Sequence, residues 1–261
     1  MRNTLRFLKA LLTTNLKASI ALRGAFLMQA TFMLLNNLIF FVMWWVFFDR
    51  FEEVRGWRVE DMLAMYGMVA ASFGMFVVFG AGARDLTRVI IEGDLDSFLG
   101  QPKSPLLQVV CARSQASGWG DIVSGLLMIA WSGYMGVGAV VPALIGMTCG
   151  AVVLLASTVL IHCSAFWLGN NDDLNRAASE FLVLFSVYPK TVFSGALKFA
   201  LFTILPAGFI SFLPVETLRA PSFMGVAAVV GGAVLYAGLA VGVFRAGLRR
   251  YESGNRFGVR A

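Results

Sequence analysis

Four long intervals of this chain carry no charged side chain: Arg23 to Asp49, Asp61 to Arg84, Asp121 to Asp172 and Arg219 to Arg245. The hydrocarbon core of a bilayer is about 30 Å thick and a helix rises about 1.5 Å per residue, so roughly 20 apolar residues cross it. Each interval reaches that length. Backbone amides in lipid find no water, so blocks this rich in Leu, Phe, Val, Met and Ala must satisfy them internally, as helices. A transmembrane barrel would instead show short segments of alternating polarity, and the sequence has none.

Composition serves mainly to exclude. With 58% hydrophobic and 14% charged residues and a mean hydropathy of +0.76, the chain lies far from soluble domains and has no room for one between its apolar blocks. The net charge of +6 does not indicate nucleic acid, because the basic residues flank apolar blocks, where they act as topology signals. Cys111, Cys149 and Cys163 sit in or beside apolar runs without metal-ligand spacing and read as packing residues.

Residues 1–23 alternate Arg2, Arg6, Lys9, Lys17 and Arg23 with Leu5, Phe7, Leu8, Leu11, Leu12, Leu16 and Ile20. This is a basic amphipathic helix, expected along the inner membrane surface. The block behind it is too long for a signal-peptide core and lacks a small-residue cleavage site, so it reads as retained.

The pattern predicts an all-α polytopic membrane protein of six spans. The first covers about Ala25 to Phe48 and ends in an aromatic cluster, Trp44, Trp45, Phe47 and Phe48, suited to an interfacial belt. The second covers about Met62 to Ala83, and a charged stretch, Arg84 to Pro105, follows. The interval from Asp121 to Asp172 is too long for one span; Gly133, Gly136, Gly138 and Pro142 divide it into spans three and four. The fifth, Phe181 to Tyr188, is interrupted by Pro189 and Lys190, and residues 195–214, with Pro206 and Gly208, read as a broken, partly re-entering helical pair near the outer surface. Irregular backbone at that depth persists only when buried in protein or lining a cavity. The sixth runs from about Ser222 to Phe244. All of this forms one domain over residues 1–261.

Basic residues set the orientation. The N-terminal segment, the Arg84 to Arg113 region, Arg176 and the C-terminal tail hold most of the Lys and Arg, which favours both termini inside.

The ordered set resembles the permease subunits of type-2 ABC exporters: a basic amphipathic leading helix, six spans, the loop Ile90-Ile91-Glu92-Gly93-Asp94-Leu95-Asp96-Ser97-Phe98-Leu99 with Pro102 behind it, Tyr188-Pro189, and Pro206 ahead of Phe212-Leu213-Pro214. More narrowly it is similar to bacterial ABC-2 family permeases encoded beside a second permease and an ATPase. The resemblance spans nearly the whole chain and implies a multi-pass protein of the bacterial cytoplasmic membrane. It implies that the loop after span two is a coupling helix docking on a cytoplasmic ATPase, with Arg84, Asp85, Arg88, Ile90, Glu92, Gly93, Asp94, Leu95 and Phe98 as coupling residues. Apolar anchors in a charged rim suit such an interface, and Gly93 should break the helix in two. It further implies a second permease chain, identical or related, around a shared pathway for an unknown substrate, and ATP with Mg held by the ATPase. This chain lacks the Gly-x-x-x-x-Gly-Lys-Ser/Thr phosphate loop and should not hydrolyse ATP by itself, so no cofactor of its own is expected, and its cysteine spacing gives no metal site.

Polar residues inside spans are the remaining clues. Gln29, Asn36 and Asn37 in the first span are costly in lipid and must face protein or a cavity, with Gln29 and Asn36 on one face at seven-residue spacing. With Tyr188 they are the cavity candidates, and interhelical hydrogen bonding is the competing use. His162 in the fourth span reads as a packing residue rather than a proton relay, and Asp121 as a residue near the inner end of span three that pairs with Arg113 or reaches water. Lys190 and Lys198 read as snorkelling to the outer surface. A single histidine and the absence of His-Glu-x-x-His or Gly-x-Ser-x-Gly argue against a membrane-embedded enzyme. An ion-coupled secondary transporter, which would place charge deep in the spans, and an assembly scaffold stand as alternatives.

Overall fold

The computed structural model describes residues 2–51, 53–54, 56–136, 138–188 and 206–252. Every regular element among them is helical except one isolated bridge between Val54 and Trp57.

Helix α1 (Arg2–Ala21) runs into α2 (Arg23–Arg50) through a single non-helical residue, Leu22. Helix α3 (Val59–Gly80) is the axis of the molecule, with Met62, Met65, Met68 and Val77 fully enclosed. It is antiparallel to α7 (Ser117–Trp131), and glycines spaced seven apart on each helix bring the two backbones into contact. A Cβ on Gly67 would lie 2.7 Å from the Gly125 carbonyl oxygen, and one on Gly74 2.5 Å from that of Gly118. On its other side α3 meets α8 (Val140–His162), where a Cβ on Gly150 would fall 2.4 Å from Ser72 Oγ and that hydroxyl donates to the Met147 carbonyl at 3.1 Å. Helix α12 (Phe223–Leu248) covers α8, and α2 packs mainly on α7.

Four helical stretches among the described residues are long and apolar enough to cross a membrane: Arg23–Arg50, Val59–Ile91, Val140–Leu168 and Phe223–Leu248. They correspond to the expected spans one, two, four and six. The expected third and fifth correspond to α7 and to α10 (Asp172–Ser186), of 15 residues each. At helical rise these measure about 22 Å, short of the hydrocarbon thickness. The break between α7 and α8 falls at residues 132–139, as the glycines predict, with Gly133 at φ 76°; Pro142 instead lies in the first turn of α8.

Most of the expected re-entrant pair, and with it Lys190 and Lys198, lies outside the described residues. The described part is helical to Arg219, beyond the expected end at 214: a π-helical turn, Gly208–Phe212, leads into α11 (Leu213–Arg219). Pro214 has no N–H to give the Ile210 carbonyl, and a widened turn just before it accommodates that loss. This segment is deeply packed, with Ile210, Ser211 and Phe212 buried.

The segments expected inside gather at one end of the bundle, where Asp85 pairs with Arg113, Asn175 reaches Thr87, and the Phe166 ring covers Gly247. At the other end Asp61 bonds Arg219, Tyr134 and the Arg58 backbone N–H, at 2.7 Å from Arg219 Nε and 2.9 Å from Arg58 N. The Arg219 guanidinium lies 4.8 Å over the Trp57 ring. Burial, then the Asp61 hydrogen bond and charge, push the Tyr134 hydroxyl pKa up.

Candidate functional site

The chain leaving α3 tightens into a 3-10 turn, Ala81–Asp85, and then folds as three short helices: α4 (Leu86–Ile91), α5 (Leu95–Leu99) and α6 (Pro105–Val110). Glycine is required twice. A Cβ on Gly82 would sit 1.9 Å from the Val109 carbonyl oxygen, so the turn lies directly on α6. Gly93, at φ 78°, reverses the chain between α4 and α5, as its sequence position predicts.

This elbow is part of the core. Leu86 and Leu95 are fully buried and Ile90 nearly so, in one cluster with Val109, Val159 and Cys163. Ile90 and Leu95, expected as anchors of a docking face, therefore point into the chain itself, because α4 and α5 fold back under α8 and α6. On α4 and α5 the outward apolar residues are Ile91 and Leu99, beside exposed Arg88, Glu92 and Ser97. Phe98 and Asp94 are half-buried. Asp85 accepts from Arg113 at 2.9 Å and lies 3.8 Å from Arg88. The pairing of Arg113 with Asp121 allowed by the sequence is thus replaced by Arg113 with Asp85. Helix α1 braces the elbow's exit: Asn15 Nδ2 donates to the Cys111 carbonyl at 2.6 Å, and Leu11 and Leu12 pack on the core.

A buried polar chain ties the elbow to two other helices. Thr87 Oγ1 lies 2.8 Å from His162 Nδ1 at the end of α8 and accepts from Asn175 Nδ2 of α10 at 2.9 Å. Asn175 Oδ1 in turn accepts from Ser164 Oγ at 3.0 Å, and Asn171 Nδ2 donates to that hydroxyl at 2.9 Å. His162, read from sequence as a packing residue, is wholly enclosed and is one member of this chain.

Next to these helices lies a cavity of about 520 Å³ between α2, α3, α8 and α10. Its wall is aromatic and aliphatic: Phe40, Tyr66, Phe73 and Phe76, then Leu154 of α8, Phe181 and Leu184 of α10, and Tyr188 just beyond. Arg84 and Glu180 supply its charge. Tyr66 stacks on Phe40 with ring centroids 5.5 Å apart, and its hydroxyl donates to Asn37 Oδ1 at 3.1 Å. Asn37 Nδ2 donates in turn to Asp121 Oδ1 and Ser124 Oγ, both at 2.8 Å.

The four cavity candidates therefore separate. Tyr188 lines the cavity; Asn37 is buried in hydrogen bonds behind its wall; Gln29 and Asn36 are exposed, Asn36 one helical turn from the cavity-lining Phe40. Asp121, expected near the inner end of a span, is enclosed at the depth of Asn37, midway along α2. Sequence reasoning missed Tyr66 and Asp121 as partners of Asn37. The signal was available in a lone tyrosine and a lone acid inside apolar helices. Among the described residues no three His, Cys, Asp or Glu side chains converge as a metal site would require.

No curated protein and no solved structure matches the chain. The family model for ABC-2 family transporter proteins matches residues 34–255, from α2 past the end of α12. An all-helical bundle with long apolar helices and a folded elbow after α3 agrees with that match, and the chain belongs to the ABC-2 transporter family as a membrane permease of an ABC transporter.

Proposed function

We propose that this permease is the membrane subunit of an ATP-driven exporter, powered through its elbow by a separate ATPase. The observation that carries the reading is the Thr87 junction. One hydroxyl of α4 bonds the end of α8 and the start of α10, and both helices wall the 520 Å³ cavity. A push on the outer face of α4 and α5, at Arg88, Ile91, Glu92 and Leu99, is thereby delivered to the cavity wall. ATP and Mg belong to the ATPase, and a second permease chain completes the pathway. In this reading α7 and the segment begun by α10 serve as spans three and five, α1 lies on the inner surface, and both termini face the cytoplasm of a bacterial cell.

The test is purification in mild detergent followed by reconstitution. An ATPase subunit should co-purify, and charge reversal at Arg88 and Glu92 should weaken that association. Purification in which no ATPase ever accompanies the chain would sink the reading.

Asp121 favours a second reading, an ion-coupled transporter, because a carboxyl enclosed at mid-helix depth is uncommon without function. Transport by vesicles that needs a proton gradient, ignores ATP and is lost in Asp121→Asn would select it over the first.

A further inference from the structure

The cavity between α2, α3, α8 and α10 carries charges of opposite sign near its elbow end. The bond from Asn175 to Thr87 sets the register of α10 against the elbow. Arg84 lies three residues before Thr87 and Glu180 five residues after Asn175, in both cases toward the middle of the bundle. At helical rise they stand about 5 Å and about 8 Å beyond that bond, so they share a depth. Both line the cavity, and among the described residues neither makes an ion pair or a hydrogen bond. Their charged neighbours in sequence are engaged elsewhere, Asp85 with Arg113 at 2.9 Å and Arg176 with Asp172 at 2.7 Å. A half-buried guanidinium without an anion and a carboxylate without a cation in the same cavity are each suited to a ligand of opposite charge.

Farther from the elbow the wall is apolar. Phe76, Phe73 and Tyr66 follow one another along α3, and Phe181 and Leu184, 52% and 46% exposed, line the cavity from α10. The ten residues from Phe76 to Tyr66 cover about 15 Å at helical rise, the depth of one leaflet in a hydrocarbon core about 30 Å thick. At roughly 30 Å³ per methylene-sized group, the volume of a water molecule in the liquid, the 520 Å³ cavity holds about 17 non-hydrogen atoms. That is one chain with its headgroup.

We propose that the cavity binds a single-chain amphiphile with a zwitterionic headgroup, its acidic group on Arg84, its amine on Glu180 and its chain along Phe73, Phe76 and Phe181. The inference rests on the reading of this cavity as the transport pathway and names what enters it. A purely anionic ligand would meet Glu180 with like charge, and a purely cationic one would meet Arg84 so.

The test uses the full-length chain in native membrane vesicles without added ATP. Three photoreactive probes share a ten-carbon chain with a diazirine at its end and differ in headgroup: phosphoethanolamine, phosphate and amine. Adducts on Val234 and Leu239, exposed on α12 and outside the cavity lining, set the background of lipid-facing labelling. On α3 and α10 the phosphoethanolamine probe should exceed the other two by roughly tenfold, the low end of what a hydrogen bond to a charged group contributes. Arg84→Gln should lower it to the level of the amine probe, and Glu180→Gln to that of the phosphate probe, whose own labelling should persist in Glu180→Gln and show the site still folded. Leu184→Trp should block all three, and free phosphoethanolamine should not compete. The proposal is overturned by equal labelling with all three probes, by either charge variant labelling like wild type, or by cavity labelling no greater than that of α12, as when another part of the protein fills the cavity. Competition by free phosphoethanolamine as strong as by the unlabelled ester also overturns it, because the apolar wall would then have no part in binding. ATPase co-purification is scored separately. Labelling of a chain that never carries an ATPase supports the site and sinks the exporter reading; an ATPase bound to a chain that does not label sinks the site alone.

Discussion

Asn37 on α2 donates to Asp121 on α7 at 2.8 Å while accepting from Tyr66 on α3 at 3.1 Å, so one amide joins three helices. Along the 28 residues of α2, only Asn37 and Phe48 are buried. The helix is held to the bundle at few points, and this is the polar one.

Replacing Asn37 by leucine should therefore cost more than its size suggests. Interhelical hydrogen bonds in membranes average about 0.6 kcal/mol, but leaving Asp121 without its donor adds roughly 1–3 kcal/mol. We expect thermal unfolding in detergent to occur measurably earlier for Asn37→Leu and to change little for Asp121→Asn, which keeps an acceptor oxygen. Equal stability of Asn37→Leu and wild type would show that the amide is not a latch.

The contact between α3 and α7 makes a sharper forecast. A Cβ at Gly74 would meet the Gly118 carbonyl at 2.5 Å, whereas one at Gly238 on α12 meets nothing within 4 Å. Gly74→Ala should destabilise by about 1–3 kcal/mol, as overpacking does, and Gly238→Ala should be neutral or slightly stabilising through helix propensity. Matching unfolding temperatures for the two variants would contradict the close approach.

Thr87→Val keeps the shape of the side chain and removes the hydroxyl that meets His162 and Asn175. ATPase association should persist while transport falls by between roughly two- and thirtyfold, the range of about 0.5–2 kcal/mol of lost coupling. Thr87→Ser should restore transport. If Thr87→Val transports normally in reconstituted vesicles, the elbow drives the bundle by another route.

Leu184 and Leu174 are both exposed on α10, but only Leu184 lines the cavity. Leu184→Trp should obstruct it and reduce transport, leaving ATPase co-purification unchanged, and Leu174→Trp should do neither. Equal transport by the two variants would remove the cavity from the pathway.

Sequence and structure agree where the physics is local. Uncharged blocks became helices because lipid leaves backbone amides no other partner, and Gly93 and the residues around Gly133 turned the chain where a positive φ was needed. They part where rotation about a helix axis matters. Helix α2 is apolar nearly all round, so its sequence could not tell that Asn37 faces inward and Asn36 outward. The elbow is a related case: its apolar residues fit a docking face and a core face equally well in the sequence, and the fold-back under α8 and α6 is what buries Ile90 and Leu95. Likewise Asp121 reads as a boundary, although α7 begins at Ser117 and carries the carboxyl inward.

What the amino-acid order decided alone is the solvent of this protein and the broad placement of its long helices, because transfer of charge and bare backbone into hydrocarbon is prohibitive whatever the neighbours. What needed three dimensions is which side chains of those helices meet. Thr87 with His162 and Asn37 with Asp121 stand 75 and 84 residues apart in the chain, and only the glycine-permitted approach of α3, α7 and α8 sets the helix rotations that bring such pairs within hydrogen-bonding reach.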